Sequence, residues 1–288
     1  MKLSISDFYY DTTCWLNVAQ RYAQFAKAGF SCVDFNTAKT DFPLYTVTEA
    51  ELTKVLEPIK MQLSDSGLTV SQVHGPWCWP PAKDMTPEGR ILRAGEMKRS
   101  ILIAHLLGAK NWVVHPIMPQ GVRDIPEGNT QQTWDLNAEF MSWLVAYGKE
   151  LDVTVCLENM PFRNFSMARP ESVLKLVKEL NDPHFKICLD TGHAAIFPDH
   201  SLEEYVCMLA DQIRAFHIHD NGGEKDEHLF PGKGAIDWQG FARGLKAIHY
   251  QGVFSLETCP PDASTVEEFE KGLNVLAGVA RDIIAQTV

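Results

Sequence analysis

Residues 153–190, VTVCLENMPFRNFSMARPESVLKLVKELNDPHFKICLD, contain a strand–helix–strand pattern that decides the fold. Two short apolar runs, Thr154–Glu158 and Lys186–Asp190, enclose the amphipathic stretch Glu171–Leu180. Each run is almost continuously apolar and ends in a carboxylate, as expected for parallel strands that are covered by helices. This unit therefore predicts a parallel sheet with connecting helices.

The same pattern recurs along the rest of the chain. The other strand candidates are Leu3–Ser6, Cys32–Asn36, Thr69–His74, Asn111–His115, Ile213–His219 and Val253–Glu257. Further amphipathic stretches include Trp15–Ala28, Glu49–Ser66, Arg90–Leu107 and Thr133–Glu150. Eight strands that alternate with helices in 288 residues predict a single (β/α)8 TIM barrel, with residues 1–288 as one domain. A doubly wound open sheet is the alternative, but no glycine-rich phosphate fingerprint follows an early strand.

Composition and charge narrow the classes of function. The chain is 45% hydrophobic and carries a net charge of -11, which disfavours nonspecific binding to nucleic acid. The amino-terminal stretch MKLSISDFYYDTT has no signal-peptide core, and no run has the roughly 18 consecutive apolar residues that a membrane helix needs. The seven cysteines form no CxxC motif, which fits a reducing compartment and argues against a cysteine metal site. We therefore expect a cytoplasmic protein with no membrane partner.

Polar side chains that can bind metals stand where the predicted strands end. They are His74, His115, Glu158, Asp190, His217 and Glu257. In a barrel the carboxyl ends of the strands surround one pocket, so these residues should meet there. A lone histidine or carboxylate after a strand is usually structural, as a hydrogen-bonded residue or a helix cap. Six of them at strand ends instead indicate one functional site.

Four of these residues form a mixed nitrogen and oxygen ligand set, namely Glu158, Asp190, His217 and Glu257. Such a set suits a divalent cation, so we expect Zn²⁺ or Mn²⁺, with Mg²⁺ and Co²⁺ as alternatives. The two glutamates follow strands that lie three apart around the predicted barrel. They could flank a substrate from opposite sides, which is what proton transfer between two bases requires.

Several motifs together resemble the xylose isomerase-like TIM barrels, the group of sugar-phosphate isomerases and epimerases that is related to endonuclease IV. These motifs are CLENMP (156–161), CLDTGHA (188–194), HIHDNGGEKDEHLFPGKGAIDW (217–238) and SLET (255–258). The resemblance to the epimerase branch implies that Glu158, Asp190, His217 and Glu257 bind the metal, with Glu158 and Glu257 as the acid/base pair. It implies an isomerase or epimerase of a small sugar or sugar derivative, or a dehydratase that uses the same proton abstraction. The proton transfer would pass through an enediolate that the metal stabilises.

The histidine of this set has a close competitor. His219 lies two residues after His217 and points to the same side of an extended strand. We assign His217, because Asp220 follows it three residues later and matches the HxxD spacing of the group.

The endonuclease IV branch has five further ligands, which together hold three zinc ions. This sequence has a candidate for each of them: His74, His115, His193, Asp226 and His228. The resemblance therefore leaves an alternative function, a zinc phosphodiesterase that acts on abasic DNA. In isomerase-like members such residues often line the substrate pocket, so we predict that they bind an additional metal or the substrate.

The loop GPWCWPPAKD (75–84) favours the sugar over DNA. Its tryptophans, Trp77 and Trp79, could form an aromatic wall for a sugar. Basic residues near the rim do not form the dense stripe that a phosphate backbone requires. Lys233, in PGKG, could contact a substrate phosphate or carboxylate, or it could be an ordinary exposed lysine. Aromatic side chains at the mouth of the barrel could also contact a neighbouring subunit, so the sequence also allows a homo-oligomer.

Overall fold

A closed ring of parallel strands forms the centre of the molecule, and the helices and loops are arranged around it. The computed structural model describes residues 1–40, 43–77 and 86–287. The strands are β1 (Lys2–Ser6), β2 (Cys32–Asn36), β3 (Thr69–His74), β4 (Asn111–Val114), β5 (Pro119–Val122), β6 (Thr154–Glu158), β7 (Phe185–Asp190), β8 (Ile213–His217) and β9 (Val253–Leu256). All except β5 belong to one sheet, in the order β8-β7-β6-β4-β3-β2-β1-β9, and every pair of neighbours is parallel.

The ring closes between β8 and β9, just beyond the end of β8. Ile218 donates its N–H to the carbonyl of Ser255 at 2.9 Å, and its own carbonyl accepts the N–H of Glu257 at 3.0 Å. An open sheet would leave these two edges unpaired, so the doubly wound alternative is wrong and the (β/α)8 barrel is confirmed.

Helices follow the strands and cover the outside of the ring. They are α1 (Phe8–Thr13), α2 (Val18–Ala28), α3 (Pro43–Thr46), α4 (Glu49–Asp65), α5 (Pro87–Leu106), α6 (Asp124–Glu127), α7 (Thr130–Glu150), α8 (Pro170–Leu180), α9 (Thr191–Ala195), α10 (Leu202–Leu209), α11 (Trp238–Ala247) and α12 (Val266–Ala285), with a 3-10 turn at Ala210–Gln212. Reciprocal side-chain caps at Asn17, Thr48, Ser201 and Thr265 define the starts of α2, α4, α10 and α12. Of the helices in the described ranges, none is long and apolar enough to cross a membrane.

Observed and predicted elements differ mainly at their ends. The strand β8 ends at His217 instead of His219, because the chain leaves β7 there and pairs with β9 through Ile218. The helix α2 begins at Val18, three residues later than predicted, because the Asn17 side chain accepts the N–H of Gln20 and starts the helix. The prediction also omitted β5 and the short helices α1, α3, α6 and α9, and it gave no bounds for α10, α11 and α12.

Small side chains fill the interior of the ring beneath the strand ends. Val113, Cys156, Cys188 and Ala215 form a separate apolar cluster, and each is almost fully buried. Successive side chains of a strand alternate between its two faces, so the residue two positions later points the same way. Those later residues are His115, Glu158, Asp190 and His217. An apolar layer therefore supports a polar layer at the carboxyl end of the barrel.

Candidate metal centre

Glu158 lies at the middle of the polar layer, where it is surrounded by histidines from other elements. Its Oε1 is 2.9 Å from Nδ1 of His217, and its Oε2 is 3.3 Å from Nε2 of His115 and 3.6 Å from Nε2 of His74. Burial by itself raises the pKa of Glu158, but His217 and His115 outweigh it and hold the pKa well below its ordinary value. This carboxylate is therefore negatively charged in spite of its burial.

The four residues predicted as metal ligands converge on this carboxylate. Glu158, Asp190, His217 and Glu257 are all buried and can each offer one ligand atom, with all four atoms within 4.8 Å of one another. The Oε2 of Glu257 is 3.5 Å from Nδ1 of His217. Burial raises the pKa of Glu257, and the neighbouring histidines do not fully offset that effect. We call these four residues, together with His74 and His115, the inner cluster.

The donor set of the inner cluster fits a divalent cation. It consists of imidazole nitrogens and carboxylate oxygens, the ligands that Zn²⁺ and Mn²⁺ share. Among the described residues, the buried Oε2 of Glu158 has no hydrogen-bond partner, although two imidazole rings face it. A buried carboxylate oxygen usually has a partner, and a cation would provide one here.

The structure brings both His217 and His219 inside, with different partners. The Nε2 of His217 is 3.0 Å from Oδ2 of Asp34, while its Nδ1 faces Glu158. The Nε2 of His219 lies 3.0 Å from Oδ1 of Asp190. Both rings are fully buried, so the orientation of the side chains alone does not choose between them. His217 therefore lies between Asp34 and Glu158, whereas His219 contacts Asp190.

Asp220, on which the choice of His217 was based, has a structural role. Its Oδ2 accepts the N–H of Gly232 at 2.8 Å and the indole N–H of Trp238 at 2.9 Å. Its Oδ1 accepts the N–H of Asn221 at 2.9 Å and that of Ile236 at 3.2 Å. The HxxD spacing therefore places an acid that folds the loop 218–237 over the barrel end.

A second group of metal-capable side chains lies against the first and nearer to the mouth. We call His193, His219, Asp226 and His228 the outer cluster, whose ligand atoms also lie within 4.8 Å of one another. The Oδ2 of Asp226 is 3.2 Å from Nε2 of His193 and 3.2 Å from Nε2 of His228. His219 stacks on His228 with a centroid distance of 3.9 Å. The structure thus brings together three of the five additional candidates, His193, Asp226 and His228.

The outer cluster pairs a negatively charged carboxylate with positively charged histidine rings. Burial lowers the pKa of His193, but Asp190 and Asp226 outweigh it and raise that pKa to about 10. Burial likewise lowers the pKa of His228, but Asp226 and Glu257 raise it to about 9. Burial raises the pKa of Asp226, yet these two histidines hold it far below its ordinary value. Without a cation, the two rings would therefore be protonated at neutral pH.

Three of the histidines are oriented in the same way by backbone carbonyl groups. The Nδ1 of His74 lies 2.9 Å from the carbonyl of Gly75, that of His193 lies 2.8 Å from the carbonyl of Asn159, and that of His228 lies 2.8 Å from the carbonyl of Glu257. An Nδ1–H donated to a carbonyl turns Nε2 towards the site, which is how histidine ligands of metals are commonly held.

The cavity above these clusters is small and has aromatic walls. Its volume is about 130 Å³, and its lining includes Phe8, Tyr9, Trp77 and Phe162 together with Glu158 and Glu257. The ring of Trp77 meets that of His115 edge-on at 4.7 Å, and the carbonyl of Trp77 accepts a hydrogen bond from Arg93 at 2.9 Å. A larger cavity of about 260 Å³ shares Phe8 with it, but that cavity contains none of the histidines, so the smaller one is the candidate site.

One predicted substrate contact lies outside the described residues, another does not line the cavity, and sequence reasoning missed three residues. Trp79 lies outside the described residues, and Lys233 is exposed in the loop 218–237 and does not line the cavity. The missed residues are Phe8 and Tyr9 in α1 and Asp34 in β2. Two signals were available: the aromatic run that follows the first strand, and an acid within the apolar strand CVDFN (32–36).

The sequence matches the family model described as xylose isomerase-like TIM barrel over residues 22–277, and the chain belongs to this family. It is 31% identical over 201 residues to an uncharacterized protein of Methanocaldococcus jannaschii, a match that covers 68% of this chain and 67% of that protein. It is 24% identical over 268 residues to a D-psicose 3-epimerase of Enterocloster bolteae, with 90% of this chain and 83% of that protein covered.

Solved structures share the fold along the whole length. A D-tagatose 3-epimerase-like protein superposes with a TM-score of 0.78 at 24% identity and covers 100% of both chains. A D-psicose 3-epimerase crystallised in the presence of D-fructose has a TM-score of 0.76 at 16% identity and covers 99% of both chains.

Proposed function

We propose that this member of the xylose isomerase-like TIM barrel family is a divalent-metal-dependent epimerase or isomerase of a small sugar. The observation that carries the proposal is the position of Glu158 and Glu257, two carboxyl groups that line one cavity and lie 2.9 Å and 3.5 Å from Nδ1 of His217. The psicose 3-epimerase among the relatives supports a ketose as the substrate and its third carbon as the site of reaction.

The two glutamates move the proton. One carboxylate accepts a proton as a carbon–hydrogen bond of the sugar breaks, and the other carboxyl group donates a proton to the same carbon from the opposite face. The configuration at that carbon inverts, and no oxidant or reductant is needed. Because the reaction is reversible, each glutamate accepts the proton in one direction and donates it in the other.

The inner cluster holds the cation that this chemistry needs. Glu158, Asp190, His217 and Glu257 would bind it, with Zn²⁺ and Mn²⁺ as the preferred ions. When bound, the cation supplies positive charge next to the sugar oxygens that become negative as the proton leaves. Burial of the ligands keeps competing water away, and the histidines around Glu158 keep that carboxylate ionised.

The lining of the cavity suits an uncharged substrate. Within the described ranges, no lysine or arginine lines it, whereas aromatic rings from α1 and from the segment after β3 do. A sugar presents apolar C–H faces to such rings and hydroxyl groups to the histidines. Lysine and arginine are the side chains that most often bind a substrate phosphate, so their absence from the described lining supports our proposal that the substrate carries no phosphate.

The outer cluster contributes to the same reaction in one of two ways. It could hold a second cation, for which His193, Asp226 and His228 provide two nitrogens and a carboxylate. It could instead contact the polar end of the sugar, since the same three residues line the cavity.

Exchange of solvent deuterium into the sugar tests the proposal directly. The parent chain, loaded with Mn²⁺ or Zn²⁺, should introduce deuterium at one carbon of at least one ketose in a panel, as detected by NMR. Glu257→Gln should lower the rate roughly 10²- to 10⁴-fold, because it removes one of the two acid/base groups. Glu57→Gln, an exposed position in α4, is the matched control and should keep the parent rate.

A second candidate function is a phosphodiesterase that cleaves DNA at abasic sites. The observation that favours it is the presence of both clusters, since the endonuclease IV resemblance predicts additional ligands at the positions of the outer cluster. A net charge of -11 and a cavity lining without lysine or arginine among the described residues disfavour it. Cleavage of an abasic duplex by the metal-loaded parent, without exchange into any sugar, would support this candidate over the epimerase.

A further inference from the structure

Asp34 is a fully buried acid in the middle of β2, below the polar layer. Its Oδ2 lies 3.0 Å from Nε2 of His217 and accepts the Nε2–H of Gln72 at 2.9 Å. Its Oδ1 has no hydrogen-bond partner among the described residues. A buried carboxylate is expensive to maintain unless it is paired, and the ring of His217 is the partner of Asp34 that can carry a positive charge.

The contact with Asp34 determines which ring nitrogen of His217 carries the proton. It therefore determines which nitrogen can offer a lone pair to a cation in the inner cluster. If Nε2 carries the proton and donates it to Asp34, Nδ1 is free to act as a ligand. The opposite tautomer would put an imidazole lone pair 3.0 Å from a carboxylate oxygen, and the two acceptors would repel each other. The Nδ1 lies 2.9 Å from Glu158 and 3.5 Å from Glu257, so once a cation occupies that side of the ring, Asp34 keeps the proton on Nε2 and leaves Nδ1 as the ligand atom.

His217 is held differently from the other histidines of the site. His74, His193 and His228 are oriented through Nδ1 by backbone carbonyls and present Nε2. His217 presents Nδ1, so its outer partner must reach Nε2 from the interior of the barrel, where Asp34 lies. A carboxylate in this outer position also makes the imidazole a stronger ligand.

Gln72 completes the arrangement by tying Asp34 to β8. Its Nε2 donates to Asp34 and lies 3.2 Å from the carbonyl of Phe216, the residue just before His217. The acid and the backbone of the ligand strand are thereby held by the same amide group.

We propose that Asp34 is a positioning residue of the metal centre, which accepts the Nε2–H of His217 and so presents Nδ1 to a divalent cation. The inference depends on the proposed cation site. It concerns the affinity of the chain for the cation and not the identity of the substrate.

Cation affinity and the visible spectrum of bound Co²⁺ test this inference without any assay of activity. Asp34→Ala removes the acceptor and should raise the Kd for Mn²⁺ by roughly 10- to 100-fold, with a change in the Co²⁺ absorption bands. Asp34→Asn keeps an acceptor oxygen near Nε2 and removes only the charge, so its Kd should lie between those of Asp34→Ala and the parent.

Asp124→Asn provides the matched control for the loss of a buried carboxylate. Asp124 is fully buried and accepts from the N–H of Ser166 at 2.8 Å. This variant should keep the parent Kd even if its metal-free form melts at a lower temperature.

If Asp34→Ala has the same Kd and the same Co²⁺ absorption bands as the parent, the inference is overturned, while the cation site still stands. A parent that binds neither ion would overturn the cation site as well, and a parent that binds Mn²⁺ without exchanging any sugar would overturn only the proposed function.

Discussion

The inner and outer clusters are built from the same residue types, but different parts of the fold hold them. The inner cluster comes from the ends of β3, β6, β7 and β8 and from the first residues after β4 and β9, where neighbouring strands fix the backbone. The outer cluster comes from the five-residue helix α9 and from the loop 218–237. A site on strands is positioned more rigidly than one on loops, so the inner cluster should perform the step that tolerates the least displacement.

The two clusters also differ in what balances their charge. In the inner cluster an ionised Glu158 lies among several histidines, and Glu257 has a raised pKa. In the outer cluster Asp226 lies between two histidines whose pKa values are raised to about 10 and about 9. Metal binding displaces protons from such histidines, so cation binding at the outer cluster should weaken as the pH falls.

Replacing Glu158 should have the largest effect, because this residue contacts every histidine of the inner cluster. Glu158→Gln keeps the shape of the side chain but removes the charge that faces His74, His115 and His217. We expect deuterium exchange into the sugar to fall by roughly 10²- to 10⁴-fold at saturating Mn²⁺. A rate within tenfold of the parent, in a variant with the parent circular dichroism spectrum, would contradict the role given to the inner cluster.

Replacing Asp226 should have a smaller effect that distinguishes the two roles of the outer cluster. If the cluster holds a second cation, the parent should bind two equivalents of Zn²⁺. In Asp226→Asn the weaker site should then lose affinity by about 10- to 100-fold, as measured by metal analysis after dialysis. If parent and variant each retain one equivalent and only the KM for the sugar rises, Asp226 contacts the substrate. Glu227→Gln, in the next residue, controls for the loss of negative charge from this loop.

The contrast between the clusters also shows which features could be predicted from the sequence. The positions of His115, Glu158 and Asp190 follow from the strand pattern, because parallel strands of similar length end at one rim. Whether His217 or His219 is the ligand does not follow, because both alternate to the same face and β8 ends between them. The structure gives them different partners, and the assignment of His217 stays a proposal.

Long-range contacts explain most of what the sequence did not reveal. Asp34 and His217 are separated by 183 positions along the chain, and only the closed ring brings β2 and β8 across from each other. Tyr9 packs its ring on that of His228 at 4.6 Å, a contact between α1 and the loop 218–237. Neither contact has a local pattern of spacing, since both depend on how the barrel closes.

Replacing Asp220 should destabilise the loop that carries the outer cluster and spare the inner one. Asp220→Asn leaves at least one of the four donors around the carboxylate without an acceptor, including the backbone N–H of Gly232. We expect the free energy of unfolding to fall by about 1–3 kcal/mol, as measured by urea denaturation of the metal-free protein. Hydrogen exchange should increase first in residues 218–237. An equal increase in β6 and β7 would mean that the two clusters are not mechanically separate.

The pH dependence of the metal-free protein should reveal the protonated histidines of the outer cluster. His193 and His228 titrate near 6.5 when unfolded and at about 10 and about 9 when folded. A pKa that is raised on folding adds stability that is fully present below about 6.5 and is lost as the pH rises through the folded value. In the presence of a chelator, the free energy of unfolding should therefore decline between pH 7 and pH 9, by roughly 2 kcal/mol per pH unit for the two rings together. His228→Gln should flatten this slope, whereas His249→Gln should not, because this exposed histidine precedes β9 and so lies at the amino end of the strands, away from the site. Saturating Zn²⁺ should abolish the decline if it replaces the protons on these rings, and an unchanged slope with Zn²⁺ would leave the outer cluster as a substrate contact.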